Sequence, residues 1–280
     1  MYKIISKKII GPNVKQITVE APDIAKNAKA GQFIVLRVDA RGERIPLTVA
    51  GKDENKGLIT IIFQEVGKTT QSLGLLNVGD SISDILGPLG RSTEISKKGT
   101  VVCIGGGVGV AEILPVANAF RLAGNTVIGI IGARNKDLLI LKKEMKEACD
   151  RLYVTTDDGS YGEKGFVSDV LKKLIADKTP INEIYAIGPV PMMKVVSNAT
   201  REFNIKTVVS LNPIMVDGTG MCGACRVSVG GKTYFACVDG PEFDGHQVNW
   251  DELTARLSLF KTEEKKALEK FQCEKCKDKH

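Results

Sequence analysis

Thr100-Val-Val-Cys-Ile-Gly105-Gly-Gly-Val-Gly109 is the stretch on which the reading of this chain turns. Its first half is a β-favouring run with almost no polar interruption, as a strand covered on both faces requires. Glycines then end the run, and Val110, Ile113, Leu114, Ala117 and Phe120 recur at helical spacing. Pro115 falls inside that helix and is expected to bend it. Strand, glycine turn and helix in this order bring unpaired N–H groups and the positive end of a helix to where a pyrophosphate can sit. A plain tight turn is the competing reading. The dinucleotide fingerprint is incomplete, because Val110 stands at the place of its third glycine. The next strand ends in Gly132-Ala-Arg134, with no acidic residue for a ribose hydroxyl.

Further along, Thr126-Val-Ile-Gly-Ile-Ile predicts a second buried strand, Leu152-Tyr-Val-Thr-Thr a third and Glu183-Ile-Tyr-Ala-Ile a fourth. Helical patterns over 136–148 and 167–176 lie between them, and this alternation means a doubly wound parallel sheet. The fourth strand runs into Gly188-Pro-Val-Pro-Met192, a second glycine-bearing turn on the same edge. Ligands of such sheets bind outside the carboxyl ends of the strands. Gly105, Gly106, Gly107, Val108, Gly109, Gly188, Pro189 and Met192 are therefore the expected contacts of a nicotinamide dinucleotide. Asp157, in Thr155-Thr-Asp-Asp-Gly159, either lines the same crevice or belongs to a solvated turn. Arg134 can meet a 2′-phosphate, so NADP(H) stays open beside NAD(H).

Residues 1–96 read differently. Lys15-Gln-Ile-Thr-Val-Glu, Gln32-Phe-Ile-Val-Leu-Arg-Val and Leu58-Ile-Thr-Ile-Ile-Phe are short β-rich runs separated by Gly, Pro, Asn and Asp, which suggests a small antiparallel barrel. Arg44-Ile-Pro46-Leu47-Thr48 and Gly67-Lys-Thr69-Thr70 are candidate flavin contacts. A hydroxyl beside a flavin ring nitrogen, and amides with Arg or Lys at the pyrophosphate, are what that cofactor needs. Taken alone, both stretches are ordinary barrel-edge residues.

At the other end, Asp217-Gly-Thr-Gly-Met-Cys222-Gly-Ala-Cys225 followed by Cys237 gives D-x4-C-x2-C-x11-C. Plant-type [2Fe–2S] proteins use C-x4-C-x2-C and a later cysteine, which places Asp217 where the first cysteine would fall. Gly218, Gly220 and Gly223 let backbone wrap closely around a cluster. A zinc held by three thiolates and a carboxylate, or simple buried thiols, are the other readings. Arg226-Val-Ser-Val-Gly-Gly-Lys-Thr-Tyr-Phe predicts a hairpin with a Gly-Gly turn. Leu253, Leu257 and Phe260 mark one amphipathic helix, and Thr262 is expected to cap another. Cys273, Cys276 and His280 in the tail suit zinc or a partner's cysteines, and equally a frayed end.

The expected organisation is thus α/β plus β. Residues 1–96 form an antiparallel barrel, 97–210 a nucleotide-binding α/β domain, 211–250 an iron–sulfur segment and 251–280 a short helical tail. The 280 residues carry a net charge of +6 with no basic stretch interleaved with aromatics, which argues against a nucleic-acid partner. No apolar run reaches membrane-spanning length, and Met1-Tyr-Lys-Ile-Ile-Ser-Lys-Lys lacks a signal-peptide core, so a cytoplasmic location is expected. Seven cysteines in a reducing compartment favour metal binding over disulfides. His246 and His280 are the only histidines, and His246 reads as a loop residue.

With these pieces assembled, the chain resembles the iron–sulfur-bearing branch of the ferredoxin reductase superfamily. That branch includes electron-transfer subunits of dihydroorotate dehydrogenase and small subunits of flavin-based electron-bifurcating transhydrogenases. The resemblance covers about residues 1–250. It rests on Glu43-Arg-Ile-Pro-Leu-Thr48, Gly105-Gly-Gly-Val-Gly-Val-Ala111, Gly132-Ala-Arg-Asn135, Ala186-Ile-Gly-Pro-Val-Pro-Met-Met193 and Val216-Asp-Gly-Thr-Gly-Met-Cys-Gly-Ala-Cys225. Dihydroorotate dehydrogenase subunits carry cysteine at the place of Asp217, whereas the transhydrogenase subunits resemble this chain in carrying aspartate.

The resemblance implies FAD, a [2Fe–2S] cluster and NAD(H). It implies Pro46, Leu47 and Thr48 along the isoalloxazine with Thr48 nearest the reacting nitrogen, Ile62, Phe63 and Gln64 passing the FAD, and Gly67, Thr69 and Thr70 at its phosphates. It makes Asp217, Cys222, Cys225 and Cys237 the cluster ligands. The superfamily arginine falls at Ile45, one place after Arg44, which puts the phosphate role of Arg44 in question and leaves Lys68 or backbone amides to substitute. Hydride exchange followed by single-electron transfer needs no general acid or base from the protein. The implied partner is a large flavoprotein subunit with [4Fe–4S] centres, linked indirectly to ferredoxin. A subunit of dihydroorotate dehydrogenase or of a hydrogenase is the alternative within this chemistry, and a zinc-stabilised nucleotide-binding redox sensor the alternative outside it.

Overall fold

The computed structural model describes residues 1–277, and the side chains of residues 1–273. Seven strands form the first sheet, with two short helices between them: β1 (Tyr2–Gly11), β2 (Val14–Glu20), α1 (Pro22–Asn27), β3 (Phe33–Arg37), β4 (Arg44–Asp53), β5 (Leu58–Gln64), α2 (Lys68–Leu75), β6 (Ser81–Ile82) and β7 (Asp84–Leu89). Their order is β6-β1-β2-β5-β4-β3-β7, with every pair antiparallel. The two edge strands, β6 and β7, are separated in sequence by Ser83 alone, so the sheet must curl until its edges meet. Ser83 N–H donates to the Val38 carbonyl at 3.1 Å, which extends the β3–β7 pairing to the junction with β6. Side chains alternate as a two-residue period demands. Ile59, Ile61 and Phe63 of β5 meet Ile17 and Val19 of β2 and Ile34 and Leu36 of β3 in the interior. This is the expected barrel, almost closed. Neither α1 nor α2 was legible in its sequence.

The second sheet comprises β8 (Thr100–Gly106), β9 (Thr126–Ala133), β10 (Arg151–Thr156), β11 (Glu163–Lys164), β12 (Glu183–Ile187) and β13 (Lys206–Ser210). The connecting helices are α3 (Gly109–Leu122), α4 (Lys142–Ala148), α5 (Val167–Ala176) and α6 (Val190–Arg201). The strands are parallel in the order β11-β10-β9-β8-β12-β13, and the chain reverses direction between β8 and β12. Val101 and Cys103 of β8 pack with α3, while Val102 and Ile104 pack with α5 and α6. That two-sided burial is why the run at 100–104 carries no polar alternation.

Several elements differ from expectation. The helix read over 136–148 is broken: Lys136–Leu138 forms a 3₁₀ turn, and the Asn135 side chain accepts the Leu138 N–H at 3.2 Å. Leu141 then adopts φ +53°, and the α-helix starts only at Lys142. Helix α3 runs on through Pro115. Two further parallel strands, β11 and β13, were not anticipated: β11 has only two residues, and Lys206-Thr-Val-Val-Ser is short and half polar.

The C-terminal part holds β14 (Arg226–Val229), β15 (Lys232–Phe235), β16 (Glu242–Asp244), α7 (Trp250–Leu257) and α8 (Lys261–Lys277). The hairpin β14–β15 turns at Gly230 and Gly231, both with positive φ, as a two-residue type I′ turn requires. Strand β16 pairs antiparallel with β13, Ser210 opposite Glu242, so the chain returns to the parallel sheet after the cysteine loop. Thr262 lies in the first turn of α8 and does not cap it. Cys273 is exposed on α8, whereas the Cys276 side chain and His280 lie outside the described residues.

At the amino-terminal edge of the parallel sheet the almost fully buried Glu183 is flanked by Lys98 and, at 2.7 Å, by Lys206. Lys98 also donates to the Tyr185 hydroxyl at 3.0 Å and lies over the Phe120 ring. A carboxylate taken out of water survives only when so compensated. Phe120 is fully buried and stacks 4.9 Å from Tyr185. Phe120→Ala is expected to cost about 3–5 kcal/mol, through lost burial and the cavity left behind, read as a lowered urea midpoint.

Candidate functional site

Two cavities open on the carboxyl edge of the parallel sheet. The larger, about 480 Å³, runs along the turn after β8, the ends of β9 and β10 and the turn after β12. Gly106, Gly107, Val108 and Gly109 line it with Arg134, Asp157, Gly188, Pro189 and Met192. The smaller, about 230 Å³, lies in the mouth of the barrel between Phe33, Pro46, Leu47, Thr48, Ile62, Phe63, Gln64 and Thr70. The two are adjoining rooms with one wall. Gln64, Val108, Glu112, Ser210 and Asn212 line both.

The glycines of the larger cavity divide into two kinds. Gly107 has φ +56°, with nothing within 4 Å of where a Cβ would stand, so this one faces open space in the left-handed region. A Cβ on Gly109 would stand 2.4 Å from the Ile187 carbonyl oxygen, and one on Gly106 2.4 Å from Met192 Sδ. Those two glycines allow the packing of one turn on the other, while the Gly107 position stands open to the cavity. The fourteen-residue α3 starts at the same cavity: Val108, Gly109 and Glu112 line it, and the Val110 and Ala111 N–H groups bond to the Gly107 and Val108 carbonyls at 3.3 and 2.9 Å. A pyrophosphate fits there by both geometry and charge.

Pro46–Thr48 of β4 and Ile62–Gln64 of its neighbour β5 line the smaller cavity side by side. Thr70 lines it, and its hydroxyl accepts the Val66 and Gly67 N–H groups at 3.1 and 3.0 Å. Thr69 is buried and donates to Glu43 at 3.1 Å, so its side chain is committed to the barrel. Arg44 is exposed and, like Gly67, Thr69 and Gly105, lines neither cavity.

Glu112 was passed over in the sequence. It sits in the first turn of α3, half-buried, and makes no ion pair among the described residues. Burial pushes its carboxyl up to about 7, an effect the nearby Thr48 hydroxyl partly offsets. An acidic residue in a first helical turn is ordinarily a dipole partner, and nothing in its spacing announces that the barrel covers it.

The cysteine loop leans on the barrel beside the smaller cavity. Met215 lines that cavity two residues before Asp217, and Gly218, at φ +80°, lies against Val35 and Leu89 of β3 and β7. Cys225 and Cys237 are buried with their sulfurs 3.2 Å apart, and Cys222 is exposed. Burial and the Cys225 thiol push the Cys237 thiol up, while the Gly220 N–H bonded to it acts the other way. Asp217 accepts N–H groups of Thr219 at 2.7 Å and Cys222 at 2.8 Å, which hold its carboxyl below the usual range. Among the described residues no three such side chains stand close enough together to hold a single metal ion. Asp217, Cys222 and Cys225 stand before the β14–β15 hairpin and Cys237 just after it, a donor set whose chemistry suits a two-iron cluster.

Sequence comparison agrees with this geometry. Residues 103–198 match the oxidoreductase NAD-binding domain, and residues 212–249 match the iron–sulfur cluster binding domain of dihydroorotate dehydrogenase B. The chain is 48% identical over 271 residues to a dihydroorotate dehydrogenase B (NAD(+)) electron transfer subunit homolog of Thermotoga maritima, covering 97% of this chain and 95% of that protein. The chain belongs to the family of dihydroorotate dehydrogenase B electron-transfer subunits. Within the family's reach lies an uncharacterized protein of the adh 3′ region of Clostridium beijerinckii, 52% identical over 275 residues, covering 95% of this chain and 93% of that one. A solved chain from the NADH-dependent reduced ferredoxin–NADP oxidoreductase, studied for flavin-based electron bifurcation, superposes with a TM-score of 0.92. It is 47% identical, and the match covers 97% of this chain and 98% of that one. These matches make the ferredoxin reductase-like oxidoreductase fold secure, with no helix among the described residues long and apolar enough to cross a membrane.

His246, the one described histidine, is structural: its Nε2 lies 2.8 Å from the Thr200 hydroxyl. Glu112 yields a pH prediction. The folded chain binds its proton more tightly than the unfolded chain, so stability falls as pH rises from the ordinary carboxyl value of 4.5 to about 7. Glu112→Gln in flavin-free protein is expected to be more stable than the parent near pH 8 by up to about 3 kcal/mol. The gap should close on acidification, and urea unfolding at the two ends of that range measures it.

Proposed function

We propose that this chain is the small subunit of an electron-bifurcating NADH-dependent reduced ferredoxin:NADP⁺ oxidoreductase. It would exchange hydride with NAD(H) in the larger cavity and pass single electrons through the cysteine loop to a large flavoprotein subunit bearing [4Fe–4S] centres. The observation that carries this reading is the shared wall. A dinucleotide crevice and a flavin-shaped cavity meet at Gln64, Val108, Glu112, Ser210 and Asn212, and the cysteine loop reaches the second of them at Met215. FAD supplies the conversion between two-electron and one-electron chemistry, and a [2Fe–2S] cluster supplies the relay.

The chain's own residues bind and orient. Gly107 and the N-terminus of α3 would receive the dinucleotide pyrophosphate, Arg134 and Asp157 its ribose end, and Gly188, Pro189 and Met192 the nicotinamide end. Pro46, Leu47, Thr48, Ile62, Phe63 and Gln64 would hold the isoalloxazine, and Thr70 with the amides at the start of α2 its phosphates. Asp217, Cys222, Cys225 and Cys237 would hold the cluster. Arg44, exposed at the head of β4, is better placed for the outer end of the FAD than for the ring.

Electron-transfer subunit of a dihydroorotate dehydrogenase is the second reading, favoured by the name of the Thermotoga maritima relative. Asp217 speaks for the first reading, since by the resemblance the transhydrogenase subunits carry aspartate there and dihydroorotate dehydrogenase subunits cysteine; as a ligand, a carboxylate is harder and less electron-donating than thiolate. Asp217→Cys is expected to retain the cluster and move its midpoint potential, with an altered EPR spectrum. An unchanged potential and spectrum would show that Asp217 is not a ligand. Co-purification with a large subunit, and NADP⁺ reduction by NADH together with reduced ferredoxin, separate the two readings. Dihydroorotate oxidation would favour the second.

A further inference from the structure

Hydride and electrons are different cargoes. A hydride is two electrons and a proton, whereas an iron–sulfur relay carries only electrons. Each hydride that enters by the dinucleotide crevice and leaves as two single electrons therefore strands one proton in the barrel mouth. That proton must reach water, and in the reverse direction one must come in. The cavity walls hold few groups able to handle it: Pro46, Leu47, Ile62, Phe63 and Met215 have no exchangeable side-chain proton.

We propose that Glu112 is the proton acceptor and donor for this exchange, with the Thr48 hydroxyl bridging it to the barrel mouth. Glu112 is one of the residues common to both cavities, and Thr48 lines the smaller one with it. Its surroundings leave the carboxyl free to change state. Arg134 at the end of β9 and Asp157 after β10 lie elsewhere along the larger cavity. The loop after β13 contributes Ser210 and Asn212, which carry no charge, and the turn after β12 contributes Gly188 and Pro189. No ion pair to any of these holds Glu112 in one form, and burial alone lifts its carboxyl to about 7, where both forms are populated near neutrality. The balance is one hydride in, two electrons out singly to the cluster loop, and one proton to the carboxylate and thence to solvent. This inference rests on the proposed function.

The test uses holoprotein loaded with FAD and iron, reduced by NADH and then mixed with excess ferricyanide as one-electron oxidant. Stopped-flow absorbance follows flavin bleaching in the first step and its return in the second. In Glu112→Gln the return is expected to slow at least tenfold relative to the bleaching, and to lose both its pH dependence near neutrality and its solvent deuterium isotope effect. Glu112→Asp should recover the pH dependence, and Thr48→Val should reproduce the slowing. Equilibrium potentiometry adds a readout independent of turnover: the slope of flavin midpoint against pH should lose its break near neutrality in Glu112→Gln. A return in Glu112→Gln with the parent's rate, pH profile and isotope effect overturns the assignment while leaving the proposed function standing. NADH that fails to bleach a bound flavin, or protein devoid of iron and labile sulfide, overturns both together.

Discussion

The start of α3 is pressed against the end of β12 with no room for a side chain between them. A Cβ at Gly109 would meet the Ile187 carbonyl oxygen at 2.4 Å, and one at Gly188 would meet the backbone of Gly106 at 3.1 Å. Backbone packed on backbone sets where α3 begins and along what line it travels. Everything at the site follows from that line: Gly107 is left facing open space, Val108 reaches both cavities, and the first turn carries Glu112 under the barrel. A single methyl group at Gly109 would move the helix, and the shared wall with it. Packed interiors do not absorb such shifts smoothly.

The coupling of barrel and sheet is chemically pointed. A cofactor in each cavity would touch the same few side chains, and the cysteine loop approaches from the barrel's other flank through Gly218 on Val35 and Leu89. Glu112 is half-buried where the first turn of α3 meets β4. That burial raises the proton affinity of the one carboxyl placed there.

Much of this was readable in the chain itself, for physical reasons that differ by element. The strand at 100–104 announced itself because burial on both faces removes polar alternation, and the hairpin at 226–235 because only glycines sit easily at two consecutive positive-φ positions. The cysteine spacing spoke for the loop. What stayed hidden depends on contacts distant in sequence. Glu112 looks like an ordinary first-turn acid until β4 is laid over it. Gly106 and Gly109 look like ligand-binding glycines until Met192 and Ile187 are brought against them. The helix read over 136–148 is broken at Leu141, whose left-handed φ of +53° separates the short turn capped by Asn135 from the α-helix that starts at Lys142. Strand β13 was missed because its burial comes from β12 on one side and from β16, a later segment, on the other.

Ser210 and Glu242 face each other across a ladder, so the whole excursion from 211 to 241 leaves the sheet and returns at one point. Its ends are already joined by the α/β domain before any iron arrives, and the entropy of closing so long a loop is met there. Assembly of the metal centre then has only local order left to impose. The segment is, in effect, a cassette clipped to a sheet edge, and a tight turn between β13 and β16 would leave the nucleotide-binding half of the molecule with its topology intact.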